Sequence, residues 1–246
     1  TGLTLTGGNA ANGTAQVGHL SRTEGASLGG AINVTTNGDL TLQAGSSGQT
    51  EAIIGHDSQE IDLVTSSGNI SVSSGGNISL TGGGPTAVSG AEATIGHATA
   101  TASGSINVGL TNGGNLTLTG GSGPARNNAQ VGHGNGLRTT NATGNIQVRT
   151  PGTISLNGGN GAMTSDGQIG HHADVTANGS ILVEAGNLAL NASLAGAGAA
   201  RVGHGSETGT STKGGSISVE ASNTISLTTN GTGFNNRNVA QIGHGG

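Results

Sequence analysis

One five-residue phrase returns seven times in this chain, and it limits the fold more than any other feature. It reads small residue, variable residue, Val or Ile, Gly, His. Its last two residues are Gly18-His19, Gly55-His56, Gly96-His97, Gly132-His133, Gly170-His171, Gly203-His204 and Gly243-His244. The steps from one His to the next are 37, 41, 36, 38, 33 and 40 residues. Seven of the eight histidines occupy this slot, and His172 is the extra one. Self-similarity at a period of this length is the signature of an array of stacked units.

Two further phrases lie between successive histidines. The first is Ile32-Asn33-Val34 and its copies beginning at Ile70, Ile106, Ile146, Ile181 and Ile217. The second is Leu40-Thr41-Leu42, with copies beginning at Ile78, Leu116, Ile154, Leu188 and Ile225. Apolar residues alternate with Ser, Thr or Asn, which is the period of a strand. Gly and Asn between the phrases supply turns that need positive φ. A weaker fourth strand is expected after the histidine, as in 61–64 or 173–176. No window carries the 3.6-residue apolar stripe of a helix.

Strands this short bury nothing alone, but stacking equivalent strands makes long parallel sheets around one narrow core. The fold class expected is all-β: a right-handed parallel β-helix (β-solenoid) of about seven repeats of about 37 residues. It forms a single domain over 1–246. One coil per repeat gives a rise of ~4.8 Å and a rod of roughly 33 Å. Two coils per repeat would double that length, but the phrases fall at uneven offsets that do not halve. The chain opens inside Leu3-Thr4-Leu5 and stops just after a histidine, so a fragment of a longer chain is expected.

Composition fits a thin interior. There are 51 Gly, one Phe and no Trp, Tyr or Cys. A large ring would need matching space in every neighbouring coil, so ladders of Ile, Val, Leu and Ala fill the bore instead. Charged residues make up 8% and net charge is −5, too little self-repulsion to favour disorder. Seven Lys and Arg form no basic patch and there are no stacking aromatics, so no nucleic-acid partner is expected. Apolar runs are too short for membrane insertion. The absence of Cys fits an exported protein that folds without disulfides.

In the recurring phrase, alternation points Val or Ile inward, Gly outward and His inward again. The seven Gly-His pairs are therefore assigned to a structural ladder of imidazoles ~4.8 Å apart, each bonded to a backbone or Asn carbonyl at a coil corner. The glycine admits a close backbone approach or a φ closed to other residues. Metal binding needs three or four ligands converging on a point, and parallel rings do not converge. A third reading is a pH switch built from buried neutral rings. No metal and no cofactor is expected. The five Asp, at 39, 57, 62, 166 and 174, fall at different phases of the repeat and suggest no acid–base pair, so no catalysis is expected. Loops after the second phrase vary most, as at 81–85, 120–124 and around Phe234, and are where a ligand would be met.

Three phrases carry a resemblance across essentially the whole chain. They are Asn-Ile-x-Val, Gly-Gly-Asn-Leu-x-Leu-x-Gly-Gly at 113–121, and Ala-Gln-Ile-Gly-His-Gly-Gly at 240–246. Together they resemble the repeat regions of filamentous-haemagglutinin-like large exoproteins, adhesins exported by two-partner secretion. The resemblance implies a β-helical shaft, extracellular or at the cell surface, used in adhesion, biofilm or contact between cells. The function it implies is a structural or adhesive shaft. The alternatives are a carbohydrate- or surface-binding module using the variable loops, or a subunit of a self-assembling extracellular filament. Implied partners are host or bacterial surface glycans or proteins, and further copies joined end to end.

Overall fold

The protein is a parallel β-solenoid with one coil per sequence repeat. Its structure, a computed structural model, describes all residues except 60–61, 88–89, 125, 135–138, 162–163, 194–195, 206–211, 230–237 and 246. Phe234 and Ile61 fall outside the described residues. Among the described residues there is no helix, and every named strand pair is parallel.

The recurring phrases form the walls. Seven strands, from Ala15–Val17 to Ala240–Ile242, make one sheet just ahead of the histidines. The Ile-x-Val and Leu-x-Leu strands make the other two walls. They are separate in the early coils, as Ile70–Ser74 and Ile78–Thr81. In later coils they run through the corner as Ile146–Asn157, Ile181–Asn191 and Ile217–Thr228, which joins the two walls into one ten-stranded sheet. Register is strict: Ile106 aligns with Ile70 and Ile146, and Leu116 with Ile78 and Ile154. One full repeat therefore separates neighbouring strands, and the reading of two coils per repeat is excluded.

The fourth strand expected after the histidine exists, a little further on. It lies at Thr65–Ser67 and Thr176–Asn178, within a six-stranded sheet of its own. After His19, His97 and His171 the chain leaves the main bore, forms this side lobe and returns at a glycine corner. The lobe has a small core of Ala142, Ala173 and Ala177.

Side chains that alternate inward build the main core. Leu40, Leu42, Ile54, Ile78, Leu80, Ile95, Leu116 and Leu118 are completely buried and belong to one continuous cluster. Burying each such side chain contributes roughly 1.5–3 kcal/mol. Leu3, Leu5, Ile217 and Val219 are only partly buried, because the coils that carry them have a neighbour on one side alone.

The variable loops are less open than their sequence suggests. Ala87 and Ala91 pack with Ala44 in a second small core, and Ser122 donates to the Gly83 carbonyl one coil away at 3.0 Å. Pro85, Thr86, Ser122 and Pro124 are exposed.

Close coil contact fixes which glycines can change. At Gly132 (φ 159°) an added methyl group would lie inside the van der Waals envelope of the Gly170 carbonyl oxygen. At Gly109, in the strand Ile106–Leu110, it would meet nothing within 4 Å. Gly132→Ala should cost more than ~4 kcal/mol or prevent folding. Gly109→Ala should stabilise by ~0.5–1 kcal/mol, because alanine loses less backbone entropy on entering a strand. Urea melts followed by circular dichroism check both, and equal effects would contradict the geometry.

Candidate functional site

The histidines form one continuous column. Neighbouring ring centroids lie 4.7–4.9 Å apart with planes within 12° of parallel. That spacing equals the distance between hydrogen-bonded strands, so the backbone sets it rather than ring attraction.

Each ring from His56 to His244 uses both nitrogens on the coil before it. Nδ1 of His97 accepts from the His56 amide at 3.0 Å, and Nε2 of His97 lies 3.0 Å from the Gly68 carbonyl oxygen. His133 does the same with the His97 amide at 3.0 Å and the Gly104 carbonyl at 2.8 Å. The pattern holds for His56, His171, His204 and His244, whose carbonyl partners are Gly30, Gly144, Gly179 and Gly215. His19 supplies the first amide of the series.

An amide N–H can only donate, so Nδ1 must carry the lone pair. A carbonyl can only accept, so Nε2 must carry the proton. The ring is thereby fixed as the neutral Nε2–H tautomer. The two partners flank the neck of the side lobe: one amide where the chain leaves the bore, one carbonyl where it returns. Each imidazole is a staple across that neck.

Burial acts in the same direction. It is the leading cause that lowers the pKa, to about 3 at His97, His133 and His171 and to about 4 at His204. His56 is also lowered, by burial first. A proton on a neighbouring ring of the column would lower it further at His97, His133 and His171.

The structure brings all seven predicted Gly-His pairs together. Gly18, Gly55, Gly96, Gly132, Gly170 and Gly203 each leave room for the carbonyl oxygen of the equivalent glycine in the next coil, and Gly243 ends the series. The expectation that these glycines face outward is corrected: their absent side chains point along the rod, where the next coil passes. Val or Ile does point into the core, and the imidazoles of the inner coils are buried.

Two further sets of residues serve the column and were not evident from the repeat phrases. The carbonyl partners Gly30, Gly68, Gly104, Gly144, Gly179 and Gly215 stand two residues before each Ile-x-Val phrase, all with positive φ between 110° and 145°. Their regular offset was a readable signal. The second set is Gln in the variable slot: the side-chain amide of Gln130 donates to the carbonyls of His133 and Gly170, and that of Gln168 to those of His171 and Gly203.

From His56 to His244 the amide already occupies the ring lone pair that a metal would need. Among the described residues no group of three or more His, Cys, Asp or Glu could hold an ion. Three of the Asp serve the backbone: Asp39 accepts from the Asn77 amide, Asp57 from that of Gln59 and Asp166 from that of Ala199. His172 stands outside the column, at the entrance to its side lobe. No family model, no curated protein and no solved structure matches the chain. Fold and column together define the class, a β-solenoid repeat protein.

Two outcomes follow from the staple. Unfolded imidazoles titrate near 6.5 and the buried ones far below, so the neutral rings favour the fold above that pH and oppose it below. Each fully buried ring should cost about 2 kcal/mol by pH ~5. Several rings together rival a typical domain stability of ~5–15 kcal/mol. Thermal melts should be level above pH ~7 and fall steeply as pH drops from ~6.5 toward ~4; a level profile would contradict the buried neutral column. His133→Ala would orphan the His97 amide and the Gly104 carbonyl and leave a cavity. It should lose roughly 3–6 kcal/mol in a urea melt.

Proposed function

We propose that this chain is a length of structural shaft in an extracellular or cell-surface protein, that it serves adhesion by spacing and display, and that it carries no catalysis. The observation that supports this best is the uniform linkage between coils. Six successive junctions are made by the same imidazole staple, so the length of the rod scales with the number of repeats. Polar side chains of the inner coils are engaged in that linkage: buried His in the column, buried Gln130 and Gln168 beside it, and exposed Asn77 and Asn115 accepting from backbone amides of the next coil. The likeness of its phrases to filamentous-haemagglutinin-like repeats supports the same reading and an exported location.

A shaft should tolerate the loss of whole coils. Excising 98–133 joins His97 to Gly134 and keeps every file in register, because the two histidines are 36 residues apart. The shortened chain, displayed on a cell between an anchor and a tag, should fold and hold the tag lower by one coil, ~4.8 Å. Excising 98–115 breaks register and should abolish folding. On a glycan array the intact chain should show no selective capture. Selective capture lost on trimming 82–92 would replace the shaft with a binding module.

A further inference from the structure

His172 sits where the repeat departs from itself. The same position holds Leu20, Asp57, Ala98, Gly134 and Gly205 in other coils. Its residue is 3% exposed and leads into the alanine core of the side lobe. Two cations approach it from different walls. Lys213 aligns with Ala177, and so continues a file of Ala102, Ala142 and Ala177 that faces the lobe core. Arg201 takes the slot that Gln130, Gln168 and Gln241 hold in neighbouring coils. Its guanidinium lies against Gly205, the bridge partner of His172.

Arg126 adds positive charge at the same imidazole. The Arg201 Nε is buried without a hydrogen-bond partner among the described residues. The His172 pKa is pushed down to about 3, by burial first and then by Arg201, Arg126 and Lys213. Lys213 is lowered by burial and then by Arg201. Cations held this close repel one another, and a buried donor without an acceptor carries a desolvation cost.

We propose that the cluster of His172, Arg201 and Lys213 binds a small oxyanion of the sulfate or phosphate class. An arginine fork and a lysine point charge are the donors that chemistry takes. A bound anion relieves the repulsion and gives Arg201 Nε an acceptor. The inference stands apart from the shaft reading, since a spacer and an anion-binding cluster can share one rod.

The test is thermal unfolding of the intact chain in sulfate against chloride at matched ionic strength, with the His172 ring followed by NMR. Native protein should gain stability saturably over ~1–50 mM sulfate, and the His172 pKa should rise as the anion binds. Arg201→Gln restores the glutamine file and Lys213→Ala the alanine file, so both should fold, melt at or above the native chain in chloride, and lose the sulfate response. Inorganic phosphate in place of sulfate tests the breadth of the class, and dextran sulfate against free sulfate separates a glycan-borne ester from a free ion. Equal shifts in all three proteins, or none in the native chain, would overturn the proposal. If Glu207, outside the described residues, supplied the counter-charge, sulfate would stabilise Glu207→Gln and leave the native chain unmoved, which would also overturn it.

Discussion

Each junction between coils depends on an imidazole that must accept and donate at once. Its Nδ1 takes the amide of one histidine, and its Nε2 reaches a glycine carbonyl of the same preceding coil. Only one neutral tautomer does both. Protonation would place an N–H against an N–H, inside a site where a charge is also poorly solvated. Among the polar side chains, few others could span the neck with an acceptor and a donor on opposite edges of one rigid plane. The uniformity of the histidine slot follows from that shape.

The same constraint explains the glycines on either side. A ring can reach two partners on the previous coil only if the backbones are near enough, and nearness removes room for Cβ. Gly132 yields that room to Gly170, and Gly104 yields it to Gly68. The two glycine columns stand at the exit and the return of the side lobe. Together with the rings they close the main core of Ile, Leu and Val off from the small alanine core beyond. The lobe can then vary in length between coils, from a short return after His97 to longer ones elsewhere, while the bore keeps its register.

Much of this was legible in the residues. The Ile-x-Val and Leu-x-Leu phrases alternate plainly, and their strands lie where the alternation puts them. The Gly-His pairs were readable as a ladder because identical residues in stacked coils must meet. What the ring bonds to was harder to see. Its partner carbonyl lies 25–29 residues back, on a backbone group that any residue could supply, and the glycine there reads as an ordinary turn. The packing of the loops after Leu-x-Leu was also hidden. Ala87 and Ala91 are unremarkable in sequence, and their burial arises only once loops of adjacent coils lie on one another. Lys213 in the alanine file and Arg201 in the glutamine file likewise acquire meaning only from register.

The protonation state of the column governs every junction, and nitrogen NMR of histidine-labelled protein reads it directly. His56, His97, His133, His171 and His204 should show an unprotonated, hydrogen-bonded Nδ1 and a protonated Nε2, unchanged on acidification until the fold itself is lost. Rings with the proton on Nδ1, or rings that titrate individually near 6.5 while the chain stays folded, would contradict that state.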